Sequence, residues 1–375
     1  MIERTPIGLY IHVPFCLSKC PYCDFYSLPY EEALAGRYTR AVCRAVKDWG
    51  ARLGVPADTL YFGGGTPSLL GGEGLTAILD AAAAAFGLHG AEITLEANPA
   101  DALEDTLRAF RAAGGNRLSL GMQSAAEEEL RFLGRRHTFA QLEAAVAAAG
   151  RAGLDTLSLD MMLGLPGQDA ASVAASAAAC RRLGAAHVSA YLLKVEPGTP
   201  FYARREGLDL PGEEETAALY LAACEALEGQ GYRQYEISNF ARPGRESRHN
   251  LKYWNGEPYL GIGPAAHSFL GGRRWYMPRD VEGFLAGNPP LPEDEEDAVI
   301  ADGSPEEYLM LRLRLTAGLT EEGFRARFGG PIPRRWRERA AALPPGLTEE
   351  DETGLRLTRE GFLVSNAVIA ALLDI

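Results

Sequence analysis

Three of the six cysteines crowd into one stretch near the start of the chain, Cys16-Leu-Ser-Lys-Cys20-Pro-Tyr-Cys23-Asp-Phe25. A CxxxCxxC loop offers three thiolates, and a tetrahedral metal centre takes four donors. A zinc site would have to recruit His12 or a distant residue, although structural zinc ligands usually come as two pairs. An iron–sulfur cluster accepts the vacancy differently: three thiolates hold three irons of a 4Fe-4S cluster, and the fourth iron is left for a chelating small molecule. The start of the chain lacks a basic segment followed by an apolar one, and no run of roughly 20 apolar residues is evident. The expected compartment is therefore the cytoplasm, where clustered thiols bind metal or do redox work more often than they form structural disulfides. Cys43, Cys180 and Cys224 each stand alone in a helical, alanine-rich run and read as small core residues.

The elements that must position this loop are legible as an alternation. Short β-rich runs, GLYIHV, TLYFGG, EITLEA, RLSLGM, TLSLDMM and HVSAYLL, are separated by longer helical patterns, several closed by glycine. Six strands with intervening helices predict an α/β fold with a parallel sheet, open or curled toward a barrel, whose chemistry lies at the C-terminal strand ends. Polar residues gather there: GGGTPS after the second strand, Glu96 at the end of the third, Gln123 after the fourth and Asp160 on the fifth. After about residue 240 the alternation gives way to RHNLKYWNGEPYLGIGPAAHSF and then to the loop GNPPLPEDEEDA. These divide the chain into a barrel domain (1–240), an extension (241–290) and a small, mainly helical C-terminal domain (300–375) with a possible hairpin at LTEEDETGLRLT. A net charge of −13 argues against nucleic acid as a partner.

With the aromatic residue before the last cysteine, GGGTPS and the glutamate-terminated strand, the chain resembles the radical S-adenosylmethionine superfamily. That resemblance implies a partial (β/α)6 barrel in which Cys16, Cys20 and Cys23 hold a 4Fe-4S cluster. The open iron would bind the amino and carboxylate groups of S-adenosylmethionine. LYIHVPFCxxxCPYC, RLSLGMQS, LGRRH and DMMLGLPGQ are similar to the coproporphyrinogen dehydrogenase family. By that likeness Tyr10, Tyr22, Gly64, Gly65, Thr66, Glu96, Gln123, Arg135 and Asp160 contact S-adenosylmethionine. Arg136 stands beside Arg135 as a competing match. Glu96 and Asp160 suit ribose hydroxyls or the methionine amine, and Arg135 the methionine carboxylate.

Two departures from the dehydrogenase pattern select a branch. The dehydrogenases have a further cysteine two residues after the third ligand, where this chain has Phe25, and a longer segment ahead of the cluster loop. HNLKYW instead matches the HNxxYW signature of the heme-chaperone (HemW) branch. This implies a protein that binds heme and delivers it to acceptor proteins such as respiratory cytochromes. An electron donor for the cluster is implied as well, with peripheral association with membrane respiratory proteins and no coproporphyrinogen dehydrogenase activity. His249 is the expected axial heme ligand, and His267 is a second candidate, for heme or for the adenosine. Tyr253 and Trp254 would stack on the porphyrin, and Arg242, Arg245 and Arg248 would meet its propionates. A coproporphyrinogen-decarboxylating enzyme and another radical enzyme acting on a porphyrin are the alternatives. No residue is assigned a catalytic role.

Overall fold

A computed structural model describes residues 5–287, 299–301 and 303–375. Most of the acidic loop expected as a domain boundary, GNPPLPEDEEDA, lies outside the described residues.

The six expected strands form at Ile7–Val13 (β1), Ala57–Gly64 (β2), Glu92–Ala97 (β3), Arg117–Gln123 (β4), Thr156–Leu163 (β5) and His187–Leu192 (β6). They pair in that order, all parallel. Strand geometry sends successive side chains to opposite faces, and here the two faces differ chemically. One face carries Leu9, Ile11, Leu60, Phe62, Leu95, Leu118, Leu120, Leu159 and Val188, all nearly or fully buried. Helices Glu32–Leu53, Gly71–Phe86, Glu104–Ala112, Phe139–Ala152 and Ala170–Arg182 cover it. The other face carries Tyr10, His12, Thr59, Tyr61, Thr94, Glu96, Arg117, Ser119, Ser158, Asp160, His187 and Ser189. A doubly covered parallel sheet is ordinarily apolar on both faces; the polar inner face marks a curled sheet around a polar interior.

The helix layer contains one run, Pro67–Phe86, long and apolar enough to cross a membrane, with a mean hydropathy of 1.4. Its Leu75, Ile78, Leu79, Ala82 and Phe86 are buried, and it packs against helices Glu32–Leu53 and Glu104–Ala112, so one face of it belongs to the core.

Beyond β6 the sheet continues at both ends. Asn239–Ala241 adds antiparallel to β6, and Tyr259–Ile262 adds parallel to β1, followed by the hairpin His267–Leu270/Arg273–Tyr276. HNLKYW forms the helix Arg248–Trp254, with Ser247 Oγ accepting from the Asn250 amide at 3.3 Å as its N-cap. The C-terminal segment packs Trp336 against Phe324 and forms the expected hairpin, Thr348–Asp351 with Gly354–Leu357, extended by a third strand, Leu319–Thr320. This segment reaches both ends of the large sheet. Ile237 N donates to Arg314 O at 2.9 Å near one edge, and Arg274 pairs with Glu307 at 2.8 Å near the other.

Candidate radical S-adenosylmethionine site

The cysteine loop and the glycine turn are stitched together by main chain. Gly65 N donates to Val13 O at 2.8 Å and Thr66 N to Phe15 O at 2.7 Å, which sets GGGTPS directly behind CxxxCxxC. The glycines are dictated by that approach: a Cβ on Gly65 would lie 2.5 Å from the Phe15 carbonyl oxygen, and Gly64 has φ +113° with the His12 ring against it. Gly64 N also donates to Glu96 Oε2 at 3.2 Å, so turn and carboxylate share one wall.

A cavity of about 430 Å³ opens at this end of the barrel. All three cysteines line it, as do Tyr22, Gly64, Gly65, Thr66, Glu96, Gln123, Arg135 and Asp160. Tyr10 does not: it lies within the barrel wall, its hydroxyl 3.1 Å from His12 Nδ1. Arg135 reaches Cys20 Sγ at 3.4 Å and Gly121 O at 3.0 Å and leaves Nε without a partner, whereas Arg136 turns away to Asp101 at 3.6 Å. Gln123 holds a positive φ of 67°, unusual for a non-glycine residue, at the strand end where its side chain enters the cavity.

Tyr61 is a site residue that motif reading missed. Its hydroxyl donates to Glu96 Oε1 at 2.8 Å, and the signal for it was the alternation Thr59, Tyr61, Gly63 along β2. Asn98, Ser119, Ser189 and Tyr191 line the same cavity.

The donor set fits a cluster better than a single ion. His12, the candidate fourth zinc ligand, has Nδ1 facing Tyr10 and Nε2 2.9 Å from Tyr26 O, so both nitrogens are taken. Among the described residues no three Cys, His, Asp or Glu side chains gather around one ion-sized point. The thiols instead face a shared cavity with Arg135 beside them. Burial pushes the Cys23 thiol up to about 11, so metal loading must displace a proton there.

These features coincide with a known family. The radical SAM superfamily profile matches residues 10–180, and the HemN C-terminal domain profile matches residues 303–364. The chain is 39% identical to the heme chaperone HemW of Mycobacterium tuberculosis, covering 98% of this chain and 95% of that protein. It is 35% identical to the Bacillus subtilis HemW, covering 97% and 98%. The chain belongs to the HemW family. Its fold is shared with coproporphyrinogen III oxidase (HemN) from Escherichia coli, a radical SAM enzyme, at a TM-score of 0.80 and 23% identity, covering 99% of this chain and 90% of that one.

The HemW signature lies away from the cysteine end of the barrel. His249 is 1% exposed; its Nδ1 lies 2.7 Å from Thr59 Oγ1 and its Nε2 2.7 Å from the Tyr253 hydroxyl. Both ring nitrogens are hydrogen-bonded in this arrangement, so an iron would have to displace one of these hydroxyls to bind there. Tyr253 packs edge-on between His249 and Tyr259, and neither it nor Trp254 lines the cavity. The amides of Arg248 and His249 donate to Glu92, which opens β3, so this helix closes the end of the barrel opposite the cysteines. Arg242, Arg245 and Arg248 lie at that far end as well: Arg245 reaches Thr156, and Arg248 reaches Gly90 O. Burial, reinforced by Lys252, holds His249 down to about 3, so it stays neutral. His249→Ala should strand two buried hydroxyls and open a cavity, costing about 2–4 kcal/mol in chemical denaturation. A variant as stable as the parent would refute the plug role.

The two cavity acids set a pH dependence. Burial, with repulsion from Asp160, raises Glu96 to about 7, and burial raises Asp160 to about 6. A cationic ligand such as S-adenosylmethionine favours their ionised forms. Its affinity should therefore rise between pH 5.5 and 8, with proton release on binding. The sign for the free protein is opposite: a carboxyl whose pKa is raised by folding loses stability as pH climbs from the unfolded value through the folded one. Calorimetric titration in two buffers of different ionisation enthalpy checks the release; affinity that is flat with pH would contradict it.

Proposed function

We propose that this protein is a heme chaperone. It holds a 4Fe-4S cluster with S-adenosylmethionine at the cysteine end of the barrel, binds heme, and passes it to acceptor proteins. The single observation that carries this reading is near-full-length likeness, at 35–39% identity, to proteins named heme chaperone HemW, spanning both barrel and C-terminal segment. In the radical SAM superfamily a bound cluster supplies the electron that breaks the sulfonium bond of S-adenosylmethionine. The chain's own contribution is a cradle. Cys16, Cys20 and Cys23 would hold the cluster, Glu96 and Asp160 would take the cationic amine or ribose hydroxyls, and Arg135 would meet the methionine carboxylate. Gly64 and Gly65 bring main chain close to the ligand, and Tyr61 fixes Glu96 in place.

Respiratory cytochromes are the proposed acceptors, reached from the cytoplasm by peripheral association with membrane respiratory proteins, and a reductant protein would feed the cluster. The deciding experiment offers heme and coproporphyrinogen separately to the anaerobically reconstituted protein. Heme binding followed by transfer to an apo-cytochrome supports the reading; heme that is neither bound nor transferred sinks it.

A further inference from the structure

An iron–sulfur cluster takes its reduction potential from its net charge, its exposure to solvent and the hydrogen bonds made to its sulfurs. In this chain each sulfur of the cysteine loop already has a donor. Thr66 Oγ1 faces Cys16 Sγ at 3.7 Å, and Arg135 Nη1 faces Cys20 Sγ at 3.4 Å. The main-chain amide of Phe25 donates to the Cys23 sulfur. The hydroxyl and the amide are neutral, and Arg135 brings a charge.

The position of Arg135 is built into the fold. Helix Glu127–Phe132 ends in a turn at Gly134, whose φ of +64° a side chain would resist, and Arg135 N donates back to Leu130 O at 2.9 Å. A Cβ on Gly134 would lie 2.9 Å from Pro21 Cδ, so this turn packs directly on the residue that follows Cys20. On its other side the guanidinium donates from Nη2 to Gly121 O at 3.0 Å, and a Cβ on Gly121 would stand 3.0 Å from that same nitrogen. Two glycines thus admit the arginine, and the Gly121 carbonyl fixes the fork with Nη1 turned to sulfur. The neighbouring cations are engaged elsewhere. Arg136 goes to Asp101 at 3.6 Å, and Lys19, exposed on the cysteine loop, donates to Phe25 O at 2.8 Å.

We propose that Arg135 is a positioning residue that acts through Cys20 to tune the cluster, its charge-assisted hydrogen bond to the ligand sulfur favouring the reduced state. Thr66 and the Phe25 amide add neutral bonds with the same sign. The physical reason is charge: one-electron reduction adds a negative charge shared by the sulfurs, and a half-buried cationic donor beside one of them stabilises the reduced form more than the oxidised one. This role is separate from meeting the methionine carboxylate and operates before that ligand arrives. The proposal rests on the cluster reading of the cysteine loop and deepens it.

The test is a mediated redox titration of the anaerobically reconstituted full chain, with dithionite as reductant and no S-adenosylmethionine present. Electron paramagnetic resonance reports the reduced cluster, and iron and acid-labile sulfide report its content. Arg135→Leu should shift the reduction equilibrium at least about tenfold toward the oxidised cluster, a fall of about 59 mV for a one-electron couple. Thr66→Val should move it the same way by less, because a neutral bond is weaker than a charge-assisted one. Arg136→Leu should match the parent. If Arg135→Leu does not retain iron, Arg135→Gln, which keeps an N–H donor and removes the charge, carries the test and should also titrate below the parent. A parent-like or raised potential in an Arg135 variant that holds its cluster would overturn the tuning role and leave the cluster reading standing. Loss of iron from both Arg135 variants would assign the residue to cluster retention and overturn the tuning role too. A parent protein that holds no iron would overturn the tuning role and the cluster reading together.

Discussion

Replacing any one of Cys16, Cys20 or Cys23 with alanine is expected to abolish the iron–sulfur cluster and to leave the barrel folded. The expectation separates ligand from scaffold. All three thiols are only partly buried and face the cavity, whereas the loop is held by main-chain bonds that the substitutions do not touch: Gly65 to Val13, Thr66 to Phe15, and Tyr30 N to Cys16 O at 3.0 Å. A cluster bound by three protein thiolates has no spare donor, since His12 is engaged at both nitrogens. Iron and acid-labile sulfide should fall to background in each variant, with far-ultraviolet circular dichroism and melting temperature close to the parent. In the parent, S-adenosylmethionine should perturb the reduced-cluster resonance, because three thiolates would leave one iron open. Tightly bound zinc with no iron after anaerobic reconstitution, or a cluster that survives one of the substitutions, would be incompatible with the site.

The second large effect is a difference between two assays. Coproporphyrinogen should not be turned over, while heme should be delivered to an apo-cytochrome. Oxidative decarboxylation requires a propionate carbon held in contact geometry with the reacting centre, and a misplacement of about 1 Å can cost roughly 100-fold in rate. Where the dehydrogenases carry a further cysteine, this chain puts Phe25, a large exposed apolar ring at the rim of the cavity. Such a ring offers a porphyrin a surface to lie on and no polar group with which to orient a tetra-acid substrate. Slow cleavage of S-adenosylmethionine without product is compatible with this expectation. Chromatography after anaerobic incubation with reductant, S-adenosylmethionine and coproporphyrinogen provides the check. Protoporphyrinogen in molar excess over the protein, with no heme transfer, would make the enzyme reading correct.

How far the chain discloses itself differs from one feature to the next. The six strands and their helices were readable because strand alternation and helical periodicity are set by local backbone geometry and appear within a window of a few residues. The cysteine loop was readable for a similar reason: its donors are close in sequence, so their spacing is their geometry. The choice between Arg135 and Arg136 was not readable, because adjacent residues are distinguished only by which one turns toward Cys20 and which toward Asp101. Tyr61 was hidden because its role is a bond to Glu96, on the neighbouring strand. HNLKYW was the least legible. Its sequence shows an imidazole among aromatics, but the partner that occupies Nδ1 is Thr59, 190 residues earlier, and the amides of the same helix are held by Glu92. Whether a histidine's nitrogens are hydrogen-bonded is decided by groups far along the chain, and only packing brings those groups within hydrogen-bond distance. The sequence by itself therefore determined the six strands with their helices, the cysteine loop and the glycine turn. The tertiary structure decided which end of the barrel each motif faces and which of two adjacent arginines meets the cysteine loop, because both depend on contacts that exist only after the sheet has curled.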